Sequence, residues 1–173
     1  MMAAMHLQVI CKDGLWRAGF GGTDWPCAVG RGGVRPDKAE GDGATPAGCW
    51  PLRRLYYRPD RLDSAPLSSL PVEALRPDLG WCDDPGDPAY NGLVKLPYAG
   101  RHELLWRTDR LYDIVAVMGY NDDPPEPGRG SAIFLHLARD DYGPTEGCVA
   151  LALPHLLAYL REAGPGSEVR ITA

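Results

Sequence analysis

The sequence lacks the features that direct a protein to or across a membrane. Its N-terminus, M-M-A-A-M-H-L-Q-V-I-C-K, has neither the basic start nor the sustained apolar core of a signal peptide. No later stretch approaches the roughly 20 apolar residues that a membrane-spanning helix needs. We therefore expect no membrane span and a cytoplasmic location. A periplasmic location is the alternative if a signal peptide precedes this sequence.

The cysteines and histidines lack the spacing of a disulfide framework or a metal site. The five cysteines are odd in number and form no C-x-x-C pair, which argues against a closed set of disulfides. The four histidines show no zinc-type spacing to one another or to the cysteines. The glycine-rich stretch 30–33 is not followed by the Lys-Ser/Thr of a phosphate-binding loop. We expect no metal and no cofactor.

The chain also has no block of basic residues. Its net charge is −5 and its pI is about 5.3, so we expect no nucleic-acid partner. A length of 173 residues predicts one domain, residues 1–173. The 21 glycines and 17 prolines favour short strands joined by turns over a helical bundle.

The apolar pattern predicts a mainly β fold with one packed helix near the C-terminus. Strands are predicted at residues 7–11, 15–18, 27–29, 50–57, 93–96, 111–119, 131–138 and 168–172, with 111–119 as a central strand. The helix presents Leu153, Leu156, Leu157 and Leu160 on one face. Pro154 suits its first turn, and His155 is expected to face solvent.

Residues 58–90 differ in character from the rest of the chain. They contain six prolines, many aspartates and serines, and little periodicity. Long segments of this kind inside a domain are often lids or binding loops. This one is either a plain surface excursion or a flap on the substrate side, and we favour the flap.

His136 and Cys148 bracket the most informative segment, H-L-A-R-D-D-Y-G-P-T-E-G-C. A predicted strand delivers the histidine, and a polar loop then leads to the cysteine. A cysteine nucleophile reacts as thiolate, so it needs a base nearby or a site that lowers its pKa. Gly147 leaves room for backbone N–H groups to approach an oxyanion. The pattern fits a catalytic pair, and it also fits a buried core cysteine and a core histidine.

The segment resembles the active-site signature of the L,D-transpeptidase catalytic domain, or YkuD-type, family. In that family a histidine ends one strand, and Ser/Thr-His-Gly-Cys follows with an apolar residue after it. Thr145, Gly147, Cys148 and Val149 match this signature. Upstream, G-D-G-A-T-P-A-G at 41–48 resembles the family's Thr-Pro-x-Gly turn. The resemblance implies a β-sandwich-like fold with the cysteine at the end of a groove.

The resemblance also implies a role for each residue. Cys148 would be the nucleophile, and His136 would take its proton. The backbone carbonyl of Leu137 would orient the imidazole, and the amides of Gly147 and Cys148 would donate to the oxyanion. We expect the pKa of Cys148 to lie below that of a free cysteine. The implied substrate is a peptidoglycan stem peptide, cleaved between the L-centre of its diamino acid and the terminal D-alanine.

Three features depart from the family. Glu146 replaces a histidine, Ala150 replaces a polar residue that is often Arg or Asn, and the loop before the cysteine is shorter than usual. The Glu146 carboxylate opposes ionisation of the thiol. We expect Thr145 and Glu146 to contact the substrate, with Glu146 pairing the side-chain ammonium of the diamino acid. Arg129 or Arg139 is expected to pair the carboxylate of that side chain.

These departures leave the nucleophile and base in place but change the surroundings of the acyl acceptor. A cytoplasmic enzyme would meet soluble muropeptides and water, so we favour an L,D-carboxypeptidase in muropeptide recycling. An L,D-transpeptidase that cross-links stems or exchanges D-amino acids is the alternative within the same chemistry. A non-catalytic muropeptide-binding domain is the alternative of another class.

Overall fold

A computed structural model describes residues 4–173 and confirms a mainly β, sandwich-like fold with one helix, close to the C-terminus. The strands are β1 (Leu7–Lys12), β2 (Leu15–Gly19), β3 (Trp25–Pro26), β4 (Val34–Arg35), β5 (Thr45–Pro46), β6 (Gly48–Tyr57), β7 (Val72–Ala74), β8 (Leu79–Cys82), β9 (Gly92–Lys95), β10 (His102–Leu104), β11 (Ile114–Met118), β12 (Phe134–Leu137), β13 (Val149–Leu151) and β14 (Glu168–Ile171), and the helix is α1 (Leu153–Glu162). Across the described residues, no helix is long and apolar enough to cross a bilayer.

The long strand β6 joins the two halves of the main sheet. Its first residues pair with β14, and its last residues pair with β11 on one side and β7 on the other. The strand order is β13-β12-β11-β6-β14-β1-β2-β3. Beyond β3, Ala28 and Ala150 exchange two hydrogen bonds of 2.9 Å each. The ends of the sheet therefore meet beside β13, so this strand has a backbone partner on both sides.

Strands β11 and β12 are buried on both faces, which explains why their sequences are almost continuously apolar. One face packs in the core that contains α1, and the other packs against the three-stranded sheet β10-β8-β9. Successive side chains of a strand point to opposite faces. Phe134 and His136 therefore share one face of β12, the face towards the three-stranded sheet. Cys148 belongs to the same apolar cluster as Phe134.

Several predicted strands are shorter than expected. The predicted strand 111–119 begins only at Ile114, after a turn, and lies between β12 and β6 as a central strand. The predicted strand 131–138 begins at Phe134, because Ala132 has a positive φ of 54° that interrupts extended pairing. The predicted strand 27–29 is replaced by β3 and the isolated bridge at Ala28.

Residues 58–90 are more than a surface excursion, because they add strands and buried side chains to the fold, and their role as a flap stays a prediction. The segment contains β7 and β8, and its buried apolar side chains include Leu70, Leu75, Leu79, Trp81, Cys82 and Tyr90. Strands of three or four residues between prolines are too short to show an alternating pattern. Strand β8 is the middle strand of the three-stranded sheet, and Asp83 directly after it lines the cavity described below.

Helix α1 packs on the sheet as its leucine pattern predicts, with Leu156 and Leu160 fully buried. The expectation that His155 faces solvent is wrong. Its ring stacks on Trp25 with a centroid distance of 4.8 Å and an interplanar angle of 4°. Strand β3 brings Trp25 over the first turn of the helix, and helical periodicity alone carries no sign of this contact.

Candidate active site

Parallel pairing of β12 and β13 brings the histidine and the cysteine to one place. Leu135 pairs with Val149, and His136 pairs with Ala150. Because the two strands are parallel, the loop between them must return the chain to the start of β12 before β13 begins. Cys148, the residue before β13, therefore lies beside Phe134, at the start of β12 on its histidine-bearing face.

The Cys148 thiol is held by the backbone that leads into β12. The Phe134 amide donates to Sγ at 3.3 Å, and the thiol donates to the Ala132 carbonyl at 3.2 Å. The residue is 6% exposed. Burial, and after it the Glu103 carboxylate, raises the pKa of the Cys148 thiol from 9.0 to about 12. The Cys148 side chain is therefore a neutral thiol at neutral pH.

The His136 imidazole is oriented by the residue that follows it. Nδ1 lies 2.8 Å from the Leu137 carbonyl oxygen, and since a carbonyl only accepts, Nδ1 carries the proton. Nε2 is therefore free to accept a proton from a nucleophile. Burial lowers the pKa of His136 from 6.5 to about 4, although the Leu137 hydrogen bond acts in the opposite direction. The imidazole is neutral at physiological pH.

The expectation of a low thiol pKa is therefore wrong. A low thiol pKa requires a charged imidazolium, a helix N-terminus or an exposed cationic setting beside the sulfur. Here the sulfur lies in an apolar cluster, and burial favours the neutral form of both the thiol and the imidazole. Cys148 and His136 are therefore both neutral at physiological pH.

Two threonine hydroxyls converge on the carbonyl of the cysteine. Thr145 Oγ1 donates to the Cys148 carbonyl at 2.6 Å and accepts the Gly147 amide at 3.1 Å. Thr45 Oγ1, from the Thr-Pro turn, donates to the same carbonyl at 3.5 Å and accepts the Gly30 amide at 2.8 Å. The upstream turn therefore contacts the backbone of the nucleophile. Since the Gly147 amide is engaged by Thr145, the Cys148 amide is the stronger candidate for the oxyanion donor.

Gly147 is needed at its position for steric reasons. Its φ is +137°, and a Cβ there would lie 2.9 Å from the Ala44 carbonyl oxygen. The same Cβ would lie 3.5 Å from Nζ of Lys38, a buried lysine whose ammonium donates to Asp42 at 2.9 Å. The chain just before the cysteine is thus packed tightly against the 38–45 segment.

A cavity of about 390 Å³ opens in front of the pair. It is lined by Glu40, Gly41, Asp83, Glu103, Arg107, Leu111, Tyr112, Ser131, Ala132, His136, Leu137, Arg139, Gly143, Pro144, Thr145, Glu146, Cys148 and Ala150. The cavity therefore brings together the predicted residues Cys148, His136, Leu137, Thr145, Glu146 and Arg139.

Two sequence-predicted residues have surroundings that differ from the expectation. Arg129 lies at a different cavity, where its guanidinium pairs with Glu126 at 3.1 Å. The Glu146 side chain is 79% exposed, and its carboxylate accepts a hydrogen bond from Arg31 at 2.8 Å. Glu146 is not among the groups that shift the pKa of Cys148, because its charge is paired and solvated. The carboxylate that acts on the thiol is Glu103.

Sequence reasoning missed the acidic side of the cavity. The Tyr112 hydroxyl donates to Glu103, and the Tyr112 ring contacts the His136 ring edge-on at a centroid distance of 5.2 Å. Burial raises the pKa of Glu103, while its hydrogen bond from Tyr112 lowers it. Glu40 accepts hydrogen bonds from the Tyr90 and Ser131 hydroxyls at 2.9 and 2.5 Å. Glu40 and Glu103 lie far from Cys148 in the sequence, and neither belongs to a local motif.

Within residues 4–173, no three His, Cys, Asp or Glu side chains come together as a metal-binding group. A family model described as the L,D-transpeptidase catalytic domain, YkuD, matches residues 11–171 of the chain. No curated protein and no solved structure gives a significant match to the chain. The match includes both segments that resemble the family, around the Thr-Pro turn and around Cys148.

Proposed function

Since the chain belongs to the YkuD family of L,D-transpeptidase catalytic domains, we propose that it is an L,D-carboxypeptidase that removes the terminal D-alanine from tetrapeptide stems. Family membership makes it a cysteine enzyme of the L,D-transpeptidase type that acts on peptidoglycan stem peptides. The hydrolytic assignment rests on one observation: the cavity that holds Cys148 and His136 also holds several carboxylates. Residues 1–173 would form one catalytic domain in which water is the acyl acceptor.

In the first half-reaction, the Cys148 sulfur attacks the carbonyl carbon of the diamino acid while the thiol proton passes to Nε2 of His136. The C–N bond to D-alanine then breaks, and the departing amine takes the proton from His136. In the second half-reaction, water adds to the thioester and gives a proton to His136. The C–S bond breaks, and the proton returns to the sulfur.

The resting protonation states suit this sequence. Because the thiol pKa is about 12 and the imidazole pKa is about 4, neither group is charged at neutral pH. The thiol loses its proton only as the sulfur bonds to carbon, and the negative charge appears on the carbonyl oxygen, for which the Cys148 amide is the candidate donor. A neutral imidazole is ready to accept a proton throughout the physiological range.

The carboxylates of the cavity favour water over an amine as acceptor. Glu40 and Glu103 line it and accept hydrogen bonds from tyrosine or serine hydroxyls, whereas Asp83 also lines it but pairs with Arg101 at 3.1 Å. A nearby carboxylate stabilises the ammonium form of an incoming amine. An ammonium cannot attack a thioester, whereas water carries no such penalty. The cavity volume of about 390 Å³ is also towards the small end of ligand sites. It suits one peptide end and a water better than two stems.

A muropeptide-binding domain without turnover is the second candidate. The observation that favours it is the buried, neutral thiol, which reacts more slowly than a thiolate. The same cavity would then bind the stem without cleaving it. For a catalytic protein, the alternative to hydrolysis is transpeptidation, in which an amine attacks the thioester in place of water.

Incubation of the protein with a tetrapeptide stem and excess D-methionine separates these readings. Mass spectrometry should show mostly tripeptide, with methionine-exchanged tetrapeptide as a minor product. Predominant exchange would overturn hydrolysis in favour of transpeptidation. An unchanged tetrapeptide, with no acyl adduct in the intact protein mass, would support the binding domain.

Two cysteine variants provide the matched control. Cys148→Ala should lower turnover by on the order of 10⁴-fold or more, as loss of a nucleophile does in other acyl-transfer enzymes. Cys11→Ala, at an exposed cysteine in β1, should leave turnover unchanged. Equal loss in both variants would point to a folding defect, which circular dichroism would reveal.

A further inference from the structure

Two arginines line the catalytic cavity, and they differ in their partners. Arg107 makes two hydrogen bonds to Asp109, of 2.8 and 2.6 Å, so its charge is already paired. Arg139 is exposed, and none of the ion pairs among residues 4–173 includes it, although its charge helps to lower the pKa of Asp109, the carboxylate that Arg107 binds. Arg139 is therefore the arginine of this cavity whose charge is available to an anionic ligand.

The position of Arg139 places this charge on the histidine side of the nucleophile. It follows His136 by three residues, just beyond the end of β12. Its side chain crosses Gly143, where an added Cβ would lie 3.3 Å from Cδ of the arginine. Its charge is also one of the minor influences that lower the pKa of His136, after burial and Arg107. Ala150, in register with His136 in the same cavity, carries no charge.

The chemistry of the proposed reaction puts the departing residue on that same side. His136 accepts the thiol proton and then protonates the departing amine, so the leaving nitrogen must lie next to Nε2. In a tetrapeptide the leaving residue is the C-terminal one. Its α-carboxylate is attached to the carbon next to that nitrogen. Along the covalent chain of the stem, this carboxylate is nearer to the leaving nitrogen than are the charged groups on the side chain of the diamino acid.

We propose that Arg139 is a specificity-determining residue that binds the terminal carboxylate of the leaving D-amino acid. This inference rests on the proposed function, and it assigns Arg139 to the terminal carboxylate instead of the diamino acid side chain. A guanidinium binds a carboxylate through paired N–H···O bonds, which favours a planar, free carboxylate over a neutral amide. The site therefore selects stems that end in a free carboxylate, and it rejects stems whose C-terminus is extended or amidated.

The test compares two tetrapeptides that differ only at the C-terminus, one a free acid and the other a primary amide. Wild-type protein should prefer the acid in kcat/KM by on the order of 10- to 100-fold, the range expected for a hydrogen bond between charged groups. Arg139→Gln should lose this preference through slower use of the acid, with the amide unaffected. Arg139→Lys should retain part of it. Arg161→Gln, at an exposed arginine in the last turn of α1, should behave as wild type.

A binding measurement makes the inference independent of turnover. Calorimetry on the Cys148→Ala protein, with and without Arg139→Gln, gives the Kd of both peptides. We expect the acid-to-amide ratio of Kd to collapse when Arg139 is replaced, whether or not the wild-type protein hydrolyses the stem. If the acid-to-amide ratio of Kd is unchanged after the replacement, Arg139 does not bind the terminal carboxylate. Absence of hydrolysis by the wild type, with the ratio still dependent on Arg139, would instead overturn the proposed carboxypeptidase activity alone.

Discussion

The Phe134 amide donates a hydrogen bond to the Cys148 sulfur across 3.3 Å, while the same thiol donates to the Ala132 carbonyl. The single proton of the thiol is thus engaged by backbone in the resting state. It must leave that contact before His136 can accept it. In the proposed mechanism, the thiol proton therefore has to turn from the Ala132 carbonyl towards His136 when the substrate binds.

After burial, the largest influence on the pKa of the Cys148 thiol is the charge of Glu103. Glu103→Gln removes a carboxylate that raises the pKa of Cys148, so the pKa should fall. We expect the rate of iodoacetamide alkylation at pH 8.5 to rise by on the order of three- to tenfold. Glu146→Gln, at an exposed and paired carboxylate, should change this rate less than about twofold. Equal effects of the two substitutions would contradict the assignment to Glu103.

The pH dependence of turnover should reflect a neutral imidazole. Activity requires unprotonated His136, so kcat/KM should fall as pH falls through about 4, the pKa of His136, and should be flat near 6.5. Alkylation of Cys148 should keep rising about tenfold per pH unit between pH 7 and 10, because the thiol pKa is about 12. A fall of kcat/KM near pH 6.5, or an alkylation rate that stops rising below pH 9, would show that Cys148 and His136 form a thiolate–imidazolium pair at rest.

Burial of neutral His136 should make the protein sensitive to acid. The pKa is lowered from 6.5 in the unfolded chain to about 4 in the fold, so the stabilisation is present above pH 6.5 and is lost as pH falls through 4. The full loss corresponds to about 3 kcal/mol of the free energy of unfolding. Glu103, with a raised pKa, contributes in the opposite direction as pH falls.

The substitution His136→Gln isolates the contribution of the histidine to the pH dependence of stability, because Glu103 is present in both the variant and the wild type. Urea unfolding at pH 7 and pH 4 should show a smaller acid-induced loss of stability in the variant than in the wild type. The difference between the two losses should approach about 3 kcal/mol at the lowest pH at which both proteins fold. Parallel pH–stability curves would mean that His136 is not buried in its neutral form.

Substitution of Gly147 tests the tight packing between the chain before Cys148 and the 38–45 segment. Gly147→Ala introduces a Cβ 2.9 Å from the Ala44 carbonyl oxygen and also forces a positive φ on alanine, so both stability and turnover should fall. Gly128→Ala is the matched control, since Gly128 also has a positive φ, of +83°, but open space around it. We expect about 1–3 kcal/mol of backbone strain in each variant, with an added loss of turnover at Gly147 alone. Denaturant midpoints and kcat measure the two effects.

Several features follow from local sequence and could be predicted. The mainly β fold is one of them, because short apolar runs separated by Gly and Pro favour strands wherever they occur. The packing of α1 is another, since Leu156 and Leu160 are one helical turn apart and must share a face. The cysteine motif belongs here too. His136, Gly147 and Cys148 lie within one short segment, so their chemical types are visible together.

Other features depend on contacts between distant segments, and only the tertiary structure determines them. Strands β7 and β8 have too few residues to show a period, and they are stabilised by partners elsewhere in the chain. Thr45 contacts the Cys148 carbonyl, and Glu103 acts on the thiol from a different sheet. The local sequence already contains the thiol and the imidazole that we propose as nucleophile and base. Their protonation was decided by folding, because a pKa depends on burial and on neighbouring charges, and neither is a property of a local motif.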